Sequence, residues 1–192
     1  MNIDVFVMAA GQSSRFGSPK QLQLVNGKPM FLHVIERIEH PSIARKVLVT
    51  GAYHVEMQRL STAAHEYLEA KNWHQGLSAS ILTAVEHIDE NASHLMIALA
   101  DQIAIKADAF KLLIDAAVDN PSSIVAAKYQ GMKAVPAIFP KHHLALLQSL
   151  NGDKGAGSIL NSDRDVIAVE MPSAALDIDT QEDLNQYLLT YD

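Results

Sequence analysis

Cysteine is absent from this chain. Disulfides, thiolate metal sites and cysteine nucleophiles are thereby excluded. A basic excess is also lacking: 15 lysines and arginines face 22 aspartates and glutamates, giving a formal net charge of -7. General nucleic-acid binding needs a basic surface. No nucleic-acid partner is therefore expected, and any anion site must be a local positive pocket. No apolar run approaches the length that crosses a bilayer. The first residues enter a strand with no basic-then-apolar leader. A soluble cytoplasmic protein with no membrane partner is the expectation. There is no internal repeat, linker or low-complexity segment, so one domain spanning 1–192 is expected.

What is present reads as a globular α/β chain, with 48% hydrophobic and 19% charged residues over 192 positions. Apolar runs alternate with amphipathic stretches, the pattern of a βαβ series and a mostly parallel central sheet. The runs predict strands over Val5–Ala9, Lys46–Thr50, Leu95–Ala100, Ser123–Lys128 and Val166–Val169, with a further apolar segment at Val135–Phe139. Helices are predicted over Met30–Glu39, Val55–Ala64, Ser78–His87, Ala107–Val118, His142–Leu150 and Glu182–Leu189. Pro29 stands where a helix accepts proline at its first position.

The most informative stretch follows the first strand: Ala9-Ala10-Gly11-Gln-Ser13-Ser-Arg15-Phe-Gly-Ser-Pro-Lys20. In an open α/β sheet, ligands bind beyond the carboxyl ends of the strands. A glycine- and serine-rich loop there can turn several backbone N–H groups toward one anion, and Arg15 and Lys20 add fixed positive charge. This is a site for phosphates. It is neither a P-loop, which needs Lys-Ser/Thr directly after its second glycine, nor a dinucleotide fingerprint, which needs glycine where Ser13 stands.

Asp101 follows the apolar run His94–Ala100. A carboxylate at the end of a buried strand is costly unless it is paired or binds a cation. A hard oxygen ligand suits Mg²⁺, usually held by one or two carboxylates plus substrate phosphates. Gln102 is a candidate for holding a ribose or a metal-bound water. Asp177 and Asp179 lie two apart in an extended segment, which puts both on one face, and either can supply a second metal carboxylate. Aspartates also cap helices and turns, and Asp179 or Thr180 suits the start of the last helix. Ser78, within Gly76-Leu-Ser78-Ala-Ser80, suits a helix N-cap, while the free N–H groups there also suit a nucleotide. Trp73 borders this segment and fits packing or a base pocket. The nine histidines show no metal-ligand spacing, and His33 and His94 read as satisfied core or surface residues.

The loop at 8–20 resembles the signature of nucleotidyltransferases with a GT-A-like, Rossmann-type fold. Gly76–Ser80, Ala98–Gln102, Val135–Phe139, Gly152–Ala156 and Asp177–Thr180 follow in the order found in the molybdenum cofactor cytidylyltransferases. The resemblance implies a three-layer α/β/α domain that moves CMP from CTP to molybdopterin with Mg²⁺ and releases pyrophosphate. A molybdoenzyme receiving the product would be its partner. Ala9, Ala10, Gly11, Ser13, Arg15, Lys20, Gly76, Ser78, Ser80 and Asp101 would bind the nucleotide. Arg15, Lys20 and Asp101 would carry catalysis. Asp101 would hold the metal with Asp179, the better candidate, or with Asp177. Lys154 and Gly155, in the second glycine-rich loop, would bind the acceptor. Relatives that use GTP usually carry glycine where this chain has Ala10. The chain departs from the pattern at Ile103 and Gln181, where proline is usual, and at Gly157, where arginine is usual. The same chemistry with GTP or with a sugar or alcohol phosphate, and a non-catalytic module that delivers the cofactor, are the alternatives.

Overall fold

A computed structural model of the chain describes residues 1–60, 65–162 and 165–191. In chain order the elements are β1 (Ile3–Ala9), a short ribbon of β2 (Leu24–Val25) and β3 (Lys28–Pro29), α1 (Met30–Arg37), β4 (Ile43–Thr50), α2 (His54–Arg59), β5 (Glu66–Glu69), α3 (Leu77–Glu86), β6 (His94–Leu99), α4 (Ala107–Asp119), β7 (Val125–Tyr129), β8 (Met132–Pro140), α5 (Leu144–Leu147), α6 (Gly157–Ser162), β9 (Ile167–Glu170) and α7 (Gln181–Tyr191).

The sheet runs in the order β5-β4-β1-β6-β8-β7-β9. All its neighbours pair in parallel except β8, which is antiparallel to both β6 and β7. The sheet is therefore mostly parallel, as the alternating pattern predicts. Period 2 explains its two faces. Ile3, Val5, Val7 and Ala9 of β1 join one core cluster, and Phe6 and Met8 join the other. Helices α1, α4 and α7 cover the first face through residues such as Phe31, Phe110 and Leu184. Helices α3, α5 and α6 cover the second through Ile81, Leu147 and Leu160. This is the expected three-layer α/β/α arrangement.

The strands differ from expectation mostly at their ends. The segment around Pro136 is a full strand, β8, and it turns back on β7 through Gln130 and Gly131, both at positive φ, 50° and 79°. That pairing suits a two-residue hairpin loop. Val135 and Pro136 fall in the register shift between Ala126 and Ala127, where proline's missing N–H breaks no ladder bond.

Helix lengths needed more correction. His142–Leu150 holds only the single turn α5 after a 3₁₀ turn at Lys141–His143. Helix α2 ends at Arg59, and the remainder of the predicted Val55–Ala64 helix, residues 61–64, lies outside the described residues. Pro29 caps α1 with ψ 136° instead of occupying its first turn. Strand β5 and the β2–β3 ribbon are additional elements.

The topology fixes where a site belongs. From β1 the chain proceeds outward to β4 and β5, then crosses back to β6 on the other side of β1. Loops leaving β1 and β6 diverge at that switch point and leave a crevice at the carboxyl edge.

Candidate functional site

A cavity of about 590 Å³ opens at that crevice. Its lining includes Ala9, Ala10, Gly11, Ser13 and Arg15 after β1, Lys20 and Gln21 from the following 3₁₀ turn, Gly76 and Ser80 at α3, Asp101 after β6, and Asp179 before α7. Five separate stretches of sequence thus converge on one place.

The first loop leaves its donors free. The backbone N–H groups of Gln12, Ser13, Ser14 and Arg15 meet no acceptor among the described residues. Ser13 adopts φ +58°, the left-handed region that L-residues seldom visit. Such a run of free amides is an anion concavity.

Beneath it lies a charge cluster. Lys20 Nζ is 2.7 Å from Asp101 Oδ2 and 2.9 Å from Asp179 Oδ1, and Arg15 Nη2 is 2.9 Å from Asp179 Oδ2. Burial alone would lower the Lys20 ammonium, but the two carboxylates overcome it and hold the group above its ordinary value. Asp101 Oδ1 is buried and has no hydrogen-bond partner among the described residues. The Asp101 carbonyl accepts from the Ile178 N–H at 3.3 Å, which carries the 177–180 segment to the β6 end. Asp179 is left for this cluster because the capping of α7 is done by others. Thr180 Oγ1 accepts from the Asp183 N–H at 3.1 Å, and Asp183 Oδ2 accepts from the Thr180 N–H at 2.7 Å, a reciprocal capping box with aspartate in place of glutamate.

Other predicted residues are placed differently. The 177–179 segment is not a regular strand, and Ile178 is buried between the two aspartates. Asp179 lines the cavity and Asp177 does not. The Asp177 carboxyl is pushed up to about 6, first by protein that displaces its water and then by the Asp101 and Asp179 charges. The residue still keeps an exposed edge. Gln102 is fully buried, and its Nε2 donates to Ala174 O at 2.9 Å. It fastens the 172–175 turn and does not reach the cavity. Ser78 is not an N-cap: Gly76 takes that place, and Ser78 is buried in the first turn of α3, outside the lining.

Gly76 brings the second glycine-rich loop into contact. At φ +106°, a Cβ there would stand 2.4 Å from Gly152 O and 2.6 Å from Asp153 Oδ1. The Ser78 N–H donates to Gly152 O at 3.1 Å. Asp153 lines the cavity, whereas Lys154 is exposed and, like Gly155, outside the lining.

Trp73 also lines the cavity and is pinned by packing. A Cβ on Gly51 would lie 2.7 Å from Trp73 Cγ and 2.6 Å from Ala10 O, so the indole rests directly on the backbone after β4. His74 stands edge-on to it at 6.1 Å. His33 and His94 are core residues, bonded to Val25 O at 3.0 Å and Pro121 O at 2.9 Å. No cluster of three or more metal-type side chains exists among the described residues, and no helix there is long and apolar enough to cross a membrane.

Gln21, Asp153 and His74 also line the cavity, outside the residues that sequence pattern alone singles out. Gln21 is only 4% exposed. Its one available signal was its place beside Lys20, on the inner side of a single 3₁₀ turn.

Comparison with known proteins gives a family and a fold. A model of the MobA-like NTP transferase domain matches residues 5–166. The probable molybdenum cofactor guanylyltransferase of Pyrococcus horikoshii is 39% identical over 56 residues, 29% of this chain and 29% of that protein. The bifunctional protein GlmU of Rhodopseudomonas palustris is 32% identical over 125 residues, 62% of this chain and 27% of that protein. The matched stretches thus span under a third of these curated relatives. Among solved structures, Rv0371c from Mycobacterium tuberculosis has the same fold, with a TM-score of 0.84 at 22% identity over 99% of each chain. Its complex with manganese matches at 0.80 and 22% identity, over 99% of this chain and 100% of that one.

Proposed function

The chain belongs to the MobA-like NTP transferase family of nucleotidyltransferase enzymes, and we propose that it moves CMP from CTP onto the phosphate of a molybdopterin-type acceptor. The observation that carries this reading is the convergence in one cavity of free loop amides, the cations Arg15 and Lys20, and the carboxylates of Asp101 and Asp179.

An oxygen of the acceptor phosphate attacks the α-phosphorus of CTP. A phosphorus–oxygen bond forms, the bond to the bridging oxygen breaks, and pyrophosphate leaves with the electron pair. The acceptor phosphate is already ionised near neutral pH, so no general base is required. Catalysis is then positioning and charge neutralisation. The Gln12–Arg15 amides, Arg15 and Lys20 hold the triphosphate and offset charge on the leaving pyrophosphate. Asp101 and Asp179 fit a divalent cation: they are hard oxygen donors, and Asp101 Oδ1 is buried without a partner among the described residues. Mg²⁺ held there supplies Lewis-acid neutralisation of phosphate oxygens. That a structural neighbour has been solved with manganese supports a divalent ion. Lys154 and Gly155 serve the acceptor from the loop that meets Gly76, and a molybdoenzyme takes the product.

Ala10 favours CTP, because relatives using GTP usually carry glycine there. The guanylyltransferase name of the Pyrococcus relative favours GTP as the second reading. Pyrophosphate release from CTP, GTP, ATP and UTP, each with molybdopterin or with sugar phosphates, tests both. Release from CTP dependent on molybdopterin is expected. Release only with a sugar phosphate would overturn the acceptor assignment.

A further inference from the structure

We propose that Gln21 is a positioning residue of the phosphate loop, holding Gly11–Ser13 in the backbone arrangement that presents amides to an anion. The inference rests on the nucleotidyl-transfer reading above.

Both arms of the buried amide are used. Gln21 Nε2 donates to Gly11 O at 2.7 Å, and Ser13 Oγ donates to Gln21 Oε1 at 2.7 Å. A trans peptide is planar, so the Gly11 carbonyl and the Gln12 N–H point in opposite directions. Drawing the carbonyl inward to Gln21 therefore turns the Gln12 N–H away from Gln21. The second bond holds Ser13 in its left-handed conformation, φ +58°, which a serine does not keep without local support. Two further bonds tether the loop: the Tyr53 hydroxyl donates to Gln12 O at 2.9 Å, and the Phe16 N–H donates to Ser13 O at 3.0 Å, closing the turn beyond Ser13 without engaging its side chain.

A primary amide offers one donor to Gly11 O and one acceptor to Ser13 Oγ from the same planar group. A glutamate keeps the shape, but when ionised it has no hydrogen to give the carbonyl and sets a negative charge under the phosphates.

The test is calorimetric titration of inorganic tripolyphosphate and of CTP into the wild type, Gln21→Ala, Gln21→Glu, Ser13→Ala and Gln21→Ala/Ser13→Ala. Thermal midpoints and the KM for each substrate are measured alongside. Gln21→Ala is expected to weaken tripolyphosphate and CTP about tenfold, with Gln21→Glu weaker still. The acceptor KM should stay put, a split that general loss of structure would not produce. Because Gln21→Ala and Ser13→Ala break the same clasp, the double variant should bind little worse than Gln21→Ala alone. If Gln21→Ala fails to fold, the smaller change at half-buried Ser13, Ser13→Ala, decides. Tripolyphosphate affinity within twofold of wild type in Gln21→Glu and Ser13→Ala would overturn the positioning role alone. A wild type that binds neither tripolyphosphate nor any NTP would sink the nucleotidyl-transfer reading, and this inference with it.

Discussion

Lys20 and Asp101 are 81 residues apart in sequence, and their ammonium and carboxylate meet at 2.7 Å. The same ammonium reaches Asp179 at 2.9 Å. Lys20 thus neutralises the two carboxylates that would hold a cation. Replacing it with methionine removes a positive charge from beside that place. Lys20→Met should raise Mn²⁺ affinity in the absence of nucleotide by about tenfold or more, since like charges a few ångströms apart repel by kilocalories even when partly screened. Turnover should fall about ten- to a hundredfold through the lost phosphate contact. Paramagnetic resonance of free Mn²⁺ measures the first effect. Unchanged affinity would show that ammonium and cation do not compete.

Asp101→Asn keeps the side-chain volume and deletes the charge. Activity should drop more than about a hundredfold, because metal neutralisation of phosphate oxygens is worth several kcal/mol. The thermal midpoint should move little, as Asp179 continues to pair with Lys20. Near wild-type turnover at saturating Mg²⁺ would remove Asp101 from the metal site.

CTP should be used in preference to GTP, and Ala10→Gly should narrow the difference. Ala10 lines the cavity, but it is only 5% exposed. Its methyl is packed mainly with the second core cluster. Base choice at this position therefore acts through a small edge of surface and through the backbone. The kcat/KM ratio for the two nucleotides in both proteins gives the answer, and a ratio unmoved by Ala10→Gly would place base choice elsewhere.

Asp177 gives a pH signature. Its carboxyl is raised from 3.8 to about 6 in the folded chain. Between those values the native state holds more protons than the unfolded one, so stability falls as pH rises. The contribution is full below 3.8 and lost through about 6. Asp177→Asn removes that loss. It should stabilise the protein at pH 7.5 by up to about 1 kcal/mol, the amount left after solvent screening at an exposed residue, and by nothing near pH 4. Urea midpoints at the two pH values check this, and an equal gain at both would assign the effect to packing.

The central fold was legible because its strands are buried on both faces and so carry long apolar runs, as Val5–Ala9 of β1 and Leu95–Leu99 of β6 do. Strand β5, Glu66-Tyr-Leu-Glu69, was not, because it is a half-exposed edge with no such run. The phosphate loop and Asp101 were legible because each interrupts an apolar strand with chemistry that packing does not need. Gln102 misled for the same reason: it follows Asp101 directly, yet it is fully buried and its Nε2 donates to Ala174 O. Asp177 falls outside the lining because period 2 presumes a strand that Ile178, bonded through its N–H to Asp101 O, does not continue. The departures at Ile103 and Gln181 were absorbed locally. Ile103 is fully buried in the first core cluster, and Gln181 opens α7 next to the Thr180 cap.

Gly51→Ala should destabilise by about 1–3 kcal/mol, the usual cost of forcing extra volume into a packed site. Its new methyl would meet Ala10 O and Trp73 Cγ at 2.6 and 2.7 Å. Denaturant midpoints measure the loss. No loss would mean that the indole moves aside without strain.

Trp73 is the only tryptophan in the chain. Held against Gly51, it faces the cavity that the phosphate loop overlooks. The protein therefore carries a built-in optical probe at its own site. Excitation near the indole red edge should report occupancy of this cavity and of no other, without a label, in real time and on unmodified protein. Nucleotide binding to the wild type can be followed by that emission before any transfer is assayed.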